Sequence, residues 1–245
     1  MNDFQKQNKN FHKKSVPKTM INLPIRNNSI ANINNVKIKN FRKKFKDTKK
    51  GNLSLQKESL ISIHHINSRG TVGKIEEIYQ YVEENKPDIL LISETKLDES
   101  VSNTLCEPPG YKIIRKDRSE KFKKKYNMTG SGGGIAVLHK KEIKVEIFTK
   151  NKEETEEILW VYVKGKKSFL LGIVYNTNYC KLMCNKKNES VFEKHLKEAS
   201  LIGCNTFVLG DFNIDLREKC SKTKKLKNMF KNYANIKAAQ VAGIY

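Results

Sequence analysis

The sequence of 245 residues has few acidic residues and no long apolar run. It contains 26 Asp and Glu against 48 Lys and Arg, which gives a net charge of +22 at pH 7. A field of that sign concentrates polyanions near the surface, so nucleic acid is the first partner to consider. The alternative is that a Lys- and Asn-rich composition follows from nucleotide bias in the genome. No stretch reaches the roughly 20 apolar residues that span a bilayer, so we expect a soluble protein with no membrane partner.

Paired cysteines are also lacking. The chain has no CxxC pair and an odd set of cysteines, namely Cys106, Cys180, Cys184, Cys204 and Cys220. Cys180 and Cys184 precede His195, but a structural zinc site normally needs four ligands with paired spacing. The opening residues MNDFQKQNKN contain no apolar segment of a secretory leader. We therefore expect reduced thiols in an intracellular protein.

Large apolar residues are sparse in residues 1–57, and they follow no period. Residues 1–50 contain 14 Lys and Arg and two acids, Asp3 and Asp47, so this segment carries +12. A segment of this kind cannot bury enough surface to offset its chain entropy. We predict a disordered basic tail over residues 1–57 and one domain over residues 58–245.

The domain begins with a predicted β–α–β unit. LISIHHI alternates apolar residues as a strand does, and it ends at Asn67. Pro87 ends the helix that follows, and the run DILLI is typical of a strand buried on both faces. The helix between Lys74 and Asn85 has apolar residues at helical spacing, which are Ile75, Ile78, Tyr79 and Val82.

The remaining pattern predicts a β-meander, a helix, a strand and a final helix. The meander strands lie near 111–114, 134–138, 143–148, 158–163 and 169–174. The first helix has Phe192, His195, Leu196 and Ala199 on its inner face, and the strand 206–209 follows it. The final helix lies near 222–233, and the pattern places no strand after it. A mixed sheet ending there would keep an uncovered edge.

Polar residues follow three of the predicted buried strands. Asn67, Glu94, Asp211 and Asn213 come directly after strand segments, and in α/β sheets ligands gather at such carboxyl ends. A turn or helix-capping role explains Asn and Asp after a strand equally well. Glu94 is harder to explain as a cap. Carboxylate and amide oxygens suit Mg²⁺ or Mn²⁺, and phosphoester hydrolysis is the chemistry that such a site supports.

These residues lie in motifs that resemble the endonuclease/exonuclease/phosphatase superfamily. The resemblance covers about residues 58–240 and is strongest to the apurinic-type endonuclease domain of non-LTR retrotransposons. The motifs, in order, are HINSRG with Asn67, LISETKL with Glu94, GSGGGIAVLHKK, GIVYNTN with Tyr175, and GDFNIDL with Asp211 and Asn213.

The resemblance implies a fold and a set of roles. The fold would be an α/β class, four-layer sandwich of two mixed β-sheets flanked by helices. Asn67 and Glu94 would hold the metal, with Glu94 as its principal ligand. Tyr175 and Asn178 would contact the scissile phosphate, and Asp211 would act on the attacking water. Asn213 would orient the phosphate.

The sequence departs from the family pattern near its end. The family finishes with an Asp in a late loop and a Ser-Asp-His motif, and no histidine follows Asp211 here. Arg69 stands where a second metal-side carboxylate is expected. Because a donor aimed at the transition state is typically worth about 10²–10³ in rate, we expect a C-terminally truncated domain of weak or no activity.

Three further segments have structural and functional interpretations. Gly132-Gly133-Gly134 leads into a strand, so we predict close backbone approach there and no phosphate-binding loop. RKDRSEKFKKKY (115–126) is a basic loop that could follow a nucleic-acid backbone or be merely solvated. His64 and His65 are predicted to be core or sheet-face residues, because adjacent strand residues face opposite sides.

The leading functional hypothesis is a metal-dependent endonuclease that nicks duplex DNA. A reverse transcriptase on another chain would be its partner, and the basic tail with the family points to the nucleus. The alternatives are a noncatalytic nucleic-acid-binding remnant and a small-phosphoester phosphatase of the same superfamily. The basic charge disfavours the phosphatase, since small soluble substrates need no extended positive surface.

Overall fold

A computed structural model describes residues 36–38, 61–125, 132–148, 157–165, 167–176, 190–214, 220–233 and 235–240. The described strands form two sheets of five strands each. No helix in these ranges is long and apolar enough to cross a membrane.

The first sheet is mixed and carries the N-terminal β–α–β unit. Its strands are β1 (Val36–Ile38), β2 (Ile61–Asn67), β3 (Ile89–Ser93), β4 (Tyr111–Lys116) and β5 (Ile135–Lys140). Their order is β1-β2-β3-β5-β4. β2 and β3 are parallel, and the other neighbours are antiparallel. Helix α1 (Ile75–Asn85) connects β2 to β3, as a parallel pair requires.

The second sheet is also mixed. Its strands are β6 (Lys144–Ile147), β7 (Ile158–Lys164), β8 (Phe169–Tyr175), β9 (Asn205–Asp211) and β10 (Ile236–Gln240). Their order is β10-β9-β8-β7-β6. β6, β7 and β8 form an antiparallel meander, whereas β8, β9 and β10 are parallel and are connected through helices α3 (Val191–Ser200) and α4 (Ser221–Asn232).

Three apolar clusters define the layers. One lies between the sheets and takes alternate residues from both, including Ile63, Leu91 and Ile173. A second packs α3 and α4 on the outer face of the second sheet, and a third packs α1 on the outer face of the first. Because alternate strand residues face opposite sides, strands this apolar are buried on both faces. The predicted α/β class of four-layer sandwich is confirmed.

Within the predicted basic tail, Val36–Ile38 pairs as an edge strand with β2, and the division into tail and domain stays a prediction. Three other details of the predicted organisation are wrong. β10 follows the final helix, where no strand was expected, and covers the edge of β9. The predicted meander divides between the sheets, since β4 and β5 pair in the first one. Tyr81, rather than Tyr79, completes the buried face of α1, because Tyr79 lies at the margin and its hydroxyl donates to Leu105 O.

The predicted basic loop at 115–126 is largely ordered structure. Residues 115 and 116 end β4, and Glu120–Lys125 forms helix α2. Phe122 and Arg118 are buried, with 8% and 6% of their surface exposed. One aromatic residue among lysines gives no apolar period, so the sequence pattern does not reveal this short helix.

Candidate active site

The two sheets meet at the carboxyl ends of their parallel strands. Asn67 ends β2 and Asp211 ends β9, and Asn67 Nδ2 donates a hydrogen bond to Asp211 Oδ2 at 3.0 Å. These residues are 144 positions apart in the sequence. This contact therefore joins the two halves of the sandwich at one edge and creates a shared polar site.

Glu94 and Tyr175 form a second pair at the same edge. Glu94 directly follows β3 and keeps 21% of its side chain exposed, with Lys96 Nζ 3.5 Å from its Oε1. Tyr175 ends β8 opposite Asp211. Burial raises the pKa of Tyr175, and the charge of Glu94, a hydrogen bond to Glu94 and the charge of Asp211 raise it further. Tyr175 is consequently a neutral hydroxyl donor at physiological pH.

The Asp211 carboxylate is held from two sides. Its Oδ2 accepts from Asn67, and its Oδ1 accepts from the Asn213 backbone N–H at 2.9 Å. Asn213 is exposed, and its Nδ2 donates to Asn176 O at 2.7 Å. Asn176 in turn donates from Nδ2 to Phe212 O at 2.8 Å. Asp211 thus keeps a fixed orientation while its remaining lone pairs are available to a water molecule.

Left-handed backbone conformations concentrate at this edge. Five non-glycine residues of the described chain have positive φ, and four of them follow β2, β3 or β9: Arg69, Glu94, Lys96 and Asn213. The fifth, Lys86, is the left-handed cap of α1. Such conformations cost on the order of 1–3 kcal/mol each and cluster at functional sites. Here they turn the chain sharply at the strand ends.

Main-chain hydrogen bonds extend the sheet past the end of β3. Gly70 N donates to Glu94 O at 2.9 Å, and Lys96 N donates to Gly133 O at 2.7 Å. Thr95 is fully buried between these segments. A Cβ on Gly134, which has φ +83°, would overlap the Thr95 side chain. The predicted close backbone approach in the glycine run is confirmed, and it immobilises the segment that carries Glu94.

The oxygen donors at this edge suit a hard divalent cation. Glu94 offers an accessible carboxylate, and Asn67 Oδ1 accepts from Arg69 N while keeping a second lone pair. Within the described ranges, no three His, Cys, Asp or Glu side chains gather as a metal-binding group. A cation held by Glu94 and Asn67 would thus need water molecules for its other positions, as Mg²⁺ commonly does.

The structure brings together five of the six residues selected from the sequence: Asn67, Glu94, Tyr175, Asp211 and Asn213. Asn178 lies outside the described residues. Their individual roles stay predictions. Sequence reasoning missed Asn176, which holds Asn213, and the buried pair of Arg118 and Glu157 next to Tyr175. Asn176 directly follows Tyr175 in the GIVYNTN motif and could have been found there.

The histidines of β2 occupy the core, as predicted. His64 and His65 are each 3% exposed, on opposite faces of the strand. His64 Nδ1 lies 2.8 Å from the Tyr81 hydroxyl. His65 is two residues after Ile63 and therefore faces the same side, between the sheets. Neither of its ring nitrogens has a hydrogen-bond partner within the described residues.

Comparisons with known proteins agree with the fold. The model of the Endonuclease/Exonuclease/phosphatase family matches residues 53–219. An AP endonuclease from Leishmania major, LMAP, is similar in structure with 14% identity and a TM-score of 0.53, covering 71% of this chain and 70% of that one.

Two other solved structures are similar at lower scores. The endonuclease domain of TRAS1, a telomere-specific non-LTR retrotransposon, is 13% identical with a TM-score of 0.49, covering 70% of this chain and 71% of that one. An AP endonuclease from Archaeoglobus fulgidus is 14% identical with a TM-score of 0.49, covering 70% of each chain. No curated protein sequence matches. Since the family model spans more than half of the residues, this chain belongs to the Endonuclease/Exonuclease/phosphatase family.

Proposed function

We propose that this protein is a metal-dependent phosphodiesterase that nicks duplex DNA. The hydrogen bond between Asn67 and Asp211 carries the proposal, because it places the end of β9 beside the end of β2 and next to the Glu94–Tyr175 pair. Two carboxylates, two amides and a phenol then share one edge. Family membership supports phosphoester hydrolysis, since the family includes endonucleases, exonucleases and phosphatases.

Each residue has a chemical role in this proposal. Glu94 and Asn67 would hold the cation, which when bound polarises a phosphoryl oxygen and stabilises the leaving alkoxide. Asp211 orients the attacking water and accepts its proton through a lone pair not used by Asn67 or Asn213. The second N–H of the Asn213 amide donates to a phosphate oxygen. The single proton of the Tyr175 hydroxyl is donated to Glu94 in this structure, and it would be donated to the phosphate instead once Glu94 binds the cation.

The test is plasmid nicking by the purified chain. We expect supercoiled plasmid to become open circles with Mg²⁺ or Mn²⁺ and to stay supercoiled with EDTA. The rate should be low, because this sequence has no histidine after Asp211 to serve as the family's phosphate-binding donor. Retardation of the plasmid in a gel without any nicking would instead support a noncatalytic nucleic-acid-binding protein. Hydrolysis of small phosphate esters without nicking would support the phosphatase alternative.

Nucleic acid as the substrate is supported by the charge of α4. This helix contains five lysines and no acid, and Thr223, Leu226 and Met229 form its buried side. Lys224 and Lys231 lie seven residues apart, so both project from the outer side, and Lys225 is exposed as well. Like charges at this density repel each other within the helix, and a polyanion relieves that repulsion.

Replacing Lys224, Lys225 and Lys231 with Gln should weaken DNA binding and lower its salt dependence. Each lost phosphate contact reduces the slope of log K against log salt by about 0.9. The slope should therefore fall by about 1 to 3, as measured by fluorescence anisotropy with a labelled duplex. Thermal stability should be unchanged or higher, because like-charge repulsion is removed.

The control replaces three lysines outside α4, which lie at the end of α1, in the β5–β6 turn and at the start of β6. Lys86, Lys141 and Lys144 are exposed, and their change to Gln removes the same net charge. If both triple variants lower the salt slope equally, total charge rather than the α4 surface governs binding, and this assignment of the surface is wrong.

A further inference from the structure

Arg118 is a buried cation beside the candidate active site. Its side chain is 4% exposed, and its Nε forms an ion pair with Glu157, whose side chain is 0% exposed. Its Nη1 donates to Gly132 O at 2.6 Å. Desolvating two charges costs several kcal/mol per ion, so a buried pair is weak evidence for stability and calls for another explanation.

The guanidinium of Arg118 lies against the ring of Tyr175. Its Cζ is 5.9 Å from the Tyr175 ring centroid and 5.7 Å from that of Phe122. A cation over an aromatic face is attracted by the ring quadrupole, more strongly where water is excluded. Arg118 also lowers the pKa of Tyr175, against the larger effects of burial and of Glu94 and Asp211.

Glu157 completes the connection to Tyr175 through the main chain. The backbone N–H of Tyr175 donates to Glu157 O at 2.9 Å. The Glu157 side chain meanwhile holds Arg118. Arg118 therefore contacts the face of the Tyr175 ring, while Glu157 fixes the backbone of Tyr175.

The glycine run is shaped around this guanidinium. Gly133 has φ +90°, and a Cβ at that position would overlap the Cζ and Nε of Arg118. Gly132 supplies the carbonyl oxygen that accepts from Nη1. The requirement for glycine at position 133 thus follows from the presence of Arg118, in addition to its backbone conformation.

We infer that Arg118 is a positioning residue, which fixes the Tyr175 ring so that the phenol oxygen is directed at Glu94 and the scissile phosphate. Gly133 leaves the space that Arg118 occupies, and Glu157 holds its charge in place. The inference rests on the proposed function for the role of the Tyr175 hydroxyl. The position of the ring itself can be measured without activity.

A double-mutant cycle in nicking rate tests the role. Arg118→Met keeps much of the side-chain volume and removes the charge, and Tyr175→Phe removes only the hydroxyl. If Arg118 acts by aiming that hydroxyl, Arg118→Met should lower kcat by about 10- to 100-fold in the wild-type background, since misplacement by 1 Å can cost about 10²-fold. In the Tyr175→Phe background it should lower kcat less than about 3-fold, because nothing remains to be aimed.

Leu226→Ala is the control for a general loss of stability. Leu226 is 1% exposed and packs between α4 and the second sheet. Its substitution should change kcat by the same factor in both backgrounds. Equal factors for Arg118→Met in the two backgrounds would overturn the inference. If Arg118→Met does not fold because the buried charge of Glu157 is no longer offset by Arg118, the cycle is run with Arg118→Met/Glu157→Gln.

Fluorine NMR on protein labelled with 3-fluorotyrosine gives an independent readout. The chain has nine tyrosines, and Tyr175→Phe assigns the signal of interest. Arg118→Met should shift that signal, and Leu226→Ala should leave it in place. If the Tyr175 signal does not shift in Arg118→Met, the inference is refuted. If the signal shifts but the wild-type protein does not nick DNA, only the proposed function is refuted.

Gly133→Ala tests the packing directly. In the wild-type background the new methyl group overlaps the guanidinium, so the Tyr175 fluorine signal should shift and the melting temperature should fall. In an Arg118→Ala background the strain at positive φ remains but the overlap is gone. The melting temperature should then fall less, and an equal fall in both backgrounds would show that Arg118 does not set the need for glycine.

Discussion

Asp211→Asn should lower the rate of plasmid nicking by about 10²–10⁴-fold, the usual contribution of a positioned general base. The one oxygen of the Asn side chain still accepts from Asn67, so the contact between the two sheets persists, whereas the bond that Asp211 Oδ1 accepts from the Asn213 N–H is lost. The substitution removes the negative charge and the basic lone pair that would take the proton from water. The measurement is the initial rate of open-circle formation at saturating Mg²⁺.

Glu99→Gln is the matched control for this substitution. Glu99 is an exposed carboxylate in the segment that follows β3, and it has no hydrogen bond or ion pair within the described residues. Its nicking rate should equal that of the wild type, and both variants should melt within a few degrees of it. A wild-type rate for Asp211→Asn would exclude Asp211 as the group that acts on water.

His65 should make the protein less stable in mild acid. Burial lowers the pKa of His65 to about 4, from an ordinary value of 6.5. The folded state thus favours neutral imidazole, so its stability is full above pH 6.5 and declines as the pH falls toward 4. From these two values, the loss at pH 5.5 relative to pH 7.5 is about 1.4 kcal/mol.

His65→Leu should remove this acid sensitivity. Leu has similar bulk and no ring nitrogen, and an unpaired buried polar group costs about 1–3 kcal/mol. We therefore expect the variant to be more stable than the wild type by about 1 kcal/mol at pH 7.5, and by more at pH 5.5. Urea unfolding at the two pH values measures both differences.

His64 is the comparison for that measurement. Burial lowers its pKa, and Asp88 opposes the shift, so His64 adds to the acid sensitivity of every variant that retains it. The difference between the wild type and His65→Leu isolates His65. An unchanged difference between pH 7.5 and pH 5.5 would show that His65 is not held in its neutral form.

Local hydrophobic patterns were sufficient to predict the strands and helices whose apolar residues follow a clear pattern. β2, β3 and α1 follow from alternation, from a continuous apolar run and from helical spacing. Helix α2 and strand β10 do not, because EKFKKK and IKAAQ are short and carry few large apolar residues. They become ordered through contacts with distant segments, as Phe122 does in the cluster beneath α3 and α4.

The residues of the candidate site likewise fall into those that the sequence reveals and those that only the fold reveals. The sequence by itself determined which polar residues follow buried strands and that Asn67, Glu94, Tyr175, Asp211 and Asn213 lie in motifs resembling one family. The tertiary structure alone decided which charges are buried. Arg118 lies among basic residues with the same local composition, and only its meeting with Glu157, 39 positions away, removes it from water. A charge is buried where a partner offsets its desolvation, and the chain brings such partners together only when it folds.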